Sequence, residues 1–234
     1  MDPHGLALLA YHEGDTDATL TLVRDDGVEH AIPASHFFRG PDDFSAIERA
    51  ALERCRGRVL DVGAGTGLHA LALADRGLEV TAIDVSEHAV DVMRRRGVQD
   101  VRRADAFAFH EGRYDTLLML GHGIGMVGTL DGLGRFLGHV PSLMADGAQL
   151  LCDSLDVLRT DDAANLAYHE ANRRAGRYVG EVRLRFAFGE TRGPRLGWLH
   201  VDAATLGRYA EAAGLGCEIV LERESGEYLA RLVV

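Results

Sequence analysis

The chain has 234 residues, 47% of them hydrophobic, and a formal net charge of −11. That length and apolar content suit one sizeable α/β domain, and the acidic balance argues against a nucleic-acid partner, whose phosphates need clustered basic side chains. Cys55, Cys152 and Cys217 have neither disulfide nor metal spacing, and the N-terminal residues are acids and histidines instead of a basic region before an apolar run, so the expectation is a cytoplasmic chain without metal, signal peptide or membrane span.

Residues 18–32 predict a hairpin, with Leu20 and Leu22 alternating with threonines and a turn at Asp26-Gly27. Phe37 and Phe38 read as packed aromatics. Asp43 or Ser45 caps a helix from Ala46 to Arg54. The next segment, R-V-L-D-V-G-A-G-T-G-L, spans Arg58 to Leu68. A short apolar strand there runs into alternate glycines Gly63, Gly65 and Gly67, followed at once by a helical pattern. Glycines at this spacing allow a tight turn and present bare N–H groups to a ligand at the positive end of a helix.

Two cofactor classes use such a loop. The dinucleotide fingerprint has glycines at its first, third and sixth positions. Here the third glycine stands fifth, Leu68 stands sixth, and Asp61 precedes the first glycine by two. A second strand, Leu78 to Ile83, ends in Asp84 and Val85; a carboxylate there accepts bonds from both hydroxyls of a ribose. The alternative is that Asp84 caps the next helix, although Ser86 is the better cap. A weaker third strand, Val98 to Arg103, leads to Asp105, Ala106 and Phe107. Tyr114 to Leu120 is an apolar run typical of a strand buried on both faces. It breaks into G-H-G-I-G-M-V-G, which puts His122 between Gly121 and Gly123 at the carboxyl end of the sheet, where open α/β sheets bind ligands.

A helix from Leu130 to Leu143 and a fifth strand from Ala148 to Leu151 follow. Residues 155–201 are an insertion with a hairpin, Glu181 to Phe188 and Arg195 to Val201, and with Arg173, Arg174, Arg177, Arg183 and Arg185. Some of these arginines suit an anionic acceptor group, while Arg183 and Arg185 share a strand face with Glu181 and read as solvated. The chain closes with a helix from Asp202 to Ala213 and strands Cys217 to Leu221 and Tyr228 to Val234.

The pattern D-V-G-A-G-T-G resembles the first motif of class I S-adenosylmethionine-dependent methyltransferases, and the closing strand pair resembles their antiparallel sixth and seventh strands. L-G-H-G-I-G-M-V-G with Y-H-E-A-N-R-R-A-G-R looks like a small bacterial subgroup of such proteins. The resemblance runs from about Phe44 to Val234. It implies an α/β fold with a Rossmann-like, seven-stranded, mostly parallel sheet, an antiparallel C-terminal hairpin and helices on both faces. It implies one domain over 1–234: an N-terminal hairpin and lid (1–43), a cofactor-binding core (44–154), an acceptor-site insertion (155–201) and a closing helix and hairpin (202–234).

The implied cofactor is S-adenosyl-L-methionine, held by Asp61, Gly63, Ala64, Gly65, Gly67, Asp84, Val85, Asp105, Ala106, Leu120 and Gly121, with Asp105 at the adenine amine. His122 is the candidate catalytic base. His122, Tyr168, Arg173 and Arg177 are the candidate acceptor contacts; His12, His30, His69, His110, His139 and His200 rank below His122. The N-P-P-Y signature of amino-group methylation on bases and amides is absent, which points to a small-molecule acceptor. The alternatives are an NAD(P)-dependent oxidoreductase and a non-catalytic protein that binds the same cofactor. The oligomeric state stays open.

Overall fold

The computed structural model describes residues 2–234. In chain order the elements are α1 (Pro3–His12), β1 (Thr19–Arg24), β2 (Glu29–Pro33), α2 (Ala46–Arg54), β3 (Arg58–Val62), α3 (Leu68–Ala74), β4 (Glu79–Asp84), α4 (Glu87–Arg95), β5 (Asp100–Arg103), β6 (Tyr114–Met119), α5 (Leu130–His139), β7 (Met144–Leu155), α6 (Ala163–Arg174), β8 (Glu181–Phe188), β9 (Thr191–Arg192), β10 (Leu196–Leu199), α7 (Ala203–Ala212), β11 (Gly216–Glu222) and β12 (Glu227–Val233).

Seven strands form one sheet in the order β11-β12-β7-β6-β3-β4-β5. β3 to β7 are parallel, β12 runs antiparallel to β7, and β11 pairs antiparallel with β12. Period-two alternation divides the apolar side chains between two cores. Leu117 and Leu150 face one side with α5 and α7, where Phe136, Leu137 and Leu206 close the core. Leu118 and Leu151 face the other side with α2, α3 and α4, against Leu52, Leu73 and Met93. Helices therefore cover both faces, as the sequence predicts.

Helix starts follow local chemistry. Ser45 and Glu48 make a reciprocal capping box on α2. Ser86, Thr129 and Asp202 each accept a hydrogen bond from the backbone N–H three residues on, at the starts of α4, α5 and α7. In α3 no side chain caps the N-terminus; Gly67 stands there with φ +75°, a left-handed conformation that glycine adopts without steric cost.

Chain connection decides where the crevice lies. From β3 the chain crosses to β4 and then β5 on one side, then returns to lay β6 against the other side of β3. The connections leaving the carboxyl ends of β3 and β6 therefore diverge, and the gap between them is the switch point at which open sheets take ligands.

The two hairpins expected at 18–32 and 181–201 join in one antiparallel sheet, β10-β8-β1-β2, with β9 on β8. Thr21 pairs with Ala187, and Val23 with Arg185. Two helices are absent from the sequence reading. α1 packs on α4, where Leu8, Ala89 and Val92 are covered by Phe37 and Phe38. α6 carries Tyr168, Arg173 and Arg174.

Candidate functional site

β3 ends in the glycine loop. The N–H groups of Gly63 and Ala64 both donate to the Ile83 carbonyl, at 2.9 and 3.0 Å, and Gly67 N–H donates to Ala64 at 2.8 Å. Gly65 N–H donates to Asp84 Oδ2 at 2.9 Å. These amides are therefore spent within the protein, contrary to the expectation of bare donors. They hold the loop against β4 and offer no cluster of free N–H groups to a pyrophosphate, which counts against the nicotinamide alternative.

Gly65 has φ +57° and open space where a Cβ would stand, so a side chain there would project into the crevice. Asp84 is nearly buried, its second oxygen accepting from Ser86 N–H at 2.8 Å. Ser86 caps α4 itself, so Asp84 is a carboxylate pinned by two backbone donors at the strand end. Each of its oxygens keeps lone-pair capacity for a further donor. Val85, beside it, is 62% exposed, an apolar surface next to the carboxylate.

Asp61 lies under the loop, 2% exposed, and its Oδ2 has no hydrogen-bond partner. Burial pushes its carboxyl up to about 6; His69 opposes and Asp84 reinforces that shift. His69 Nε2 meets Glu48 Oε1 at 3.0 Å. Burial disfavours ionised Glu48, but hydrogen bonds from His69 and from the Ser45 N–H, with the Arg39 charge, hold it down at about 2. This Arg39–Glu48–His69 group joins the segment before β3 to α3 beside Asp61. The sequence reading ranks His69 low because nothing local ties it to Glu48.

Across the crevice, β6 runs out through Leu120 and Gly121 to His122. Among the described residues His122 is the only non-glycine with positive φ, at 58°. Its N–H donates to Asp153 Oδ1 at 2.9 Å, which secures the turn to the end of β7. Its Nε2 stands 3.8 Å from Glu227 Oε1 at the start of β12. Its ring meets His200 edge-on, with centroids 5.6 Å apart. Burial, reinforced by the nearby His122, lowers His200 to about 4, and its Nδ1 has no partner. Burial raises Asp153, with His122 opposing. His200 thus lies beside His122, a placement the sequence reading does not give it; its place is set by β10, far along the chain. Met126, four residues past His122, reaches back until a Cβ on Gly63 would stand 2.5 Å from its Cε, so the two loops close on one another.

A family model described as a methyltransferase domain matches residues 59–140. A solved S-adenosylmethionine-dependent methyltransferase from Bacteroides fragilis, in complex with S-adenosyl-L-homocysteine, is 34% identical, aligns over 100% of this chain and 94% of its own, and has a TM-score of 0.88. The chain belongs to the S-adenosylmethionine-dependent methyltransferases. Two curated relatives match over shorter stretches. A magnesium-protoporphyrin O-methyltransferase from Rhodobacter capsulatus is 40% identical over 55 residues, 24% of this chain and 24% of its own. A ubiquinone biosynthesis O-methyltransferase from Idiomarina loihiensis is 42% identical over 48 residues, 20% of each. The chain thus matches a quarter or less of these curated relatives' length.

The methyltransferase cofactor, S-adenosyl-L-methionine, suits what the crevice offers. Gly65 leaves space that a Cβ would fill, and the orphaned Asp61 oxygen awaits a donor. Asp105 is exposed, its carboxylate accepting the Phe107 N–H at 2.9 Å, with Ala106 buried beside it.

The arginine-rich segment has mostly internal partners. Tyr168 OH donates to Asp25 Oδ1 at 2.7 Å and accepts Arg183 N–H at 3.0 Å. Arg177 Nε donates to Asn172 Oδ1 at 2.9 Å, and Arg173 lies 3.8 Å from Glu170. Arg183 pairs with Asp25. Among the described residues no hydrogen bond or ion pair links Tyr168, Arg173 or Arg177 to His122. No cluster of three or more metal-ligating side chains occurs among them either, and no helix is long and apolar enough to cross a membrane.

Proposed function

We propose that this chain transfers a methyl group from S-adenosyl-L-methionine to a small-molecule acceptor, with His122 as the proton acceptor, and that residues 1–234 act as one methyltransferase domain. One observation carries this reading. A donor side built from Asp61, Gly65 and Asp84 faces, across the β3/β6 switch point, a loop that holds a histidine in a strained left-handed turn. Strain of about 1–3 kcal/mol at a single non-glycine residue collects where function requires it.

When bound, the cofactor would supply a methyl group already activated by its sulfonium, with the C–S electron pair left on sulfur. The protein's part is to hold, align and exclude water. Asp84 would take the ribose diol, Asp61 the cofactor's ammonium, and Val85, Asp105 and Ala106 the adenine. Gly63, Ala64, Gly67, Leu120 and Gly121 shape the backbone around it. His122, tied by Asp153 and facing Glu227, can receive a proton from a hydroxyl or amine. The curated relatives are named as O-methyltransferases, in keeping with an oxygen acceptor. Tyr168, Arg173 and Arg177 stay candidate acceptor contacts, with no bond to the His122 loop among the described residues.

Calorimetric titration tests the donor. S-adenosylhomocysteine binds and raises the melting temperature by preferential binding to the native state, while NADH does neither. Gly65→Val abolishes the effect in a folded protein. Stabilisation by NADH alone would overturn the assignment.

A further inference from the structure

We infer that the acceptor is a planar aromatic molecule carrying a hydroxyl, held between a roof of aromatic side chains and the His122 loop; this rests on the methyl-transfer reading above. The roof is continuous. Phe37 is fastened to the glycine loop, its carbonyl accepting a hydrogen bond from the Thr66 hydroxyl. The His4 ring meets Phe37 edge-on at 5.3 Å and tilts over Phe186 at 5.6 Å. Phe186 meets Trp198 nearly perpendicular at 6.5 Å. Trp198 lies on Gly125 of the His122 loop, where an added Cβ would stand 2.2 Å from the indole nitrogen. Two residues on, His200 meets His122.

The rings thus run from the donor loop to the proton acceptor. His4, Phe37, Phe186 and Trp198 are all only half-buried, so the row of rings is not sealed from solvent. Such rings favour flat π systems in offset or edge-on contact.

The nucleophile follows from the charges around His122. Asp153 faces it from β7 and Glu227 from β12, the latter also 3.7 Å from Arg223; His200, from the end of β10, is uncharged at neutral pH. Among the described residues no arginine pairs with the ring. A carboxylate acceptor meets two acids there, and the nearby Arg223 is already paired with Glu227. A phenolic hydroxyl arrives neutral, and the proton it releases as its oxygen lone pair forms the new C–O bond passes to Nε2 of His122 and on to water. An arylamine is neutral as well, but it attacks through a free lone pair and needs no base beforehand.

Trp198 is the only tryptophan in the chain, so its emission reports on the roof directly. Protein saturated with S-adenosylhomocysteine is titrated with para-cresol, cyclohexanol, aniline and benzoate, and the same four are then offered with S-adenosylmethionine. Para-cresol changes the emission and is methylated. Cyclohexanol and benzoate are weaker by about tenfold or more. By calorimetry Trp198→Leu weakens para-cresol binding about tenfold and leaves S-adenosylhomocysteine affinity unchanged. His122→Ala lowers kcat about a hundredfold. Equal use of cyclohexanol would remove the aromatic requirement, and preference for aniline over para-cresol would remove the hydroxyl. Silence to all four with S-adenosylhomocysteine still bound would overturn the acceptor class alone; failure to bind S-adenosylhomocysteine would overturn the donor reading beneath it.

Discussion

Asp61 is a carboxyl group placed where ionisation is costly. Its folded value of about 6 lies above the usual aspartate value near 4. The folded state therefore holds the proton more tightly than the unfolded chain, and stability falls as pH rises from about 4 to about 6. Above that window the ionised group destabilises the cofactor-free fold by on the order of 2 kcal/mol. Asp61→Asn should accordingly raise the melting temperature at neutral pH, lose that advantage near pH 4, and weaken S-adenosylhomocysteine binding. A gain of equal size at both pH values would show that packing, not charge, is responsible. Asp84 makes a separate prediction: Asp84→Ala weakens S-adenosylhomocysteine about ten- to a hundredfold by calorimetry, the loss of one charge-assisted donor–acceptor set. Both acids stand out in sequence because their placement is local: each stands near a strand end within two residues of a glycine or a cap. Glu48, His69 and His200 are not, because their partners are brought by other elements.

Among the elements, the N-terminal helix contributes most that was unforeseen. Asp2 accepts the Gly5 N–H, caps α1, and also accepts from the Ser86 hydroxyl at the start of α4. Phe37 and Phe38 are then held over the glycine loop, with the Arg96 guanidinium 5.1 Å from the Phe38 ring and 2.7 Å from Thr66 Oγ1. Gly5 is what permits this closeness, since a Cβ there would stand 2.2 Å from Ser86 Oγ and 2.3 Å from Asp2 Oδ2. Gly5→Ala should loosen α1 at a cost of about 1–3 kcal/mol of local packing. Limited proteolysis then cuts within residues 2–38 while the rest of the chain stays resistant; unchanged resistance would show that the helix shifts to accommodate the methyl. α1 escapes a periodicity reading because Leu6, Ala7, Leu8, Leu9 and Ala10 surround the helix instead of forming one stripe. α6 escapes for the opposite reason, burying only Tyr168, His169 and Asn172. The parallel strands, by contrast, are plain in sequence because Val59–Val62 and Leu117–Leu120 are buried on both faces.

For the whole molecule, each hairpin of the second sheet can be read from its own alternation and turn, yet their union cannot. β1 and β8 pair across the entire cofactor-binding core, and nothing in Thr19–Arg24 names Glu181–Phe188 as its neighbour. The fold class is therefore legible from the glycine loop and the strand order it implies, while the roof over the crevice depends on tertiary pairing. That pairing also orders events during synthesis. β1 and β2 emerge first, and an isolated two-stranded hairpin is marginally stable in water. They wait, edges unpaired, until all of the seven-stranded sheet except β11 and β12 has been made and β8 arrives. Long-range strand pairing of this kind is slow and leaves exposed edges open to wrong partners. A nascent chain halted before β8 would carry the glycine loop and His122 but only two of the second sheet's five strands, so the proposed acceptor pocket forms late, once β8 and β10 are in place.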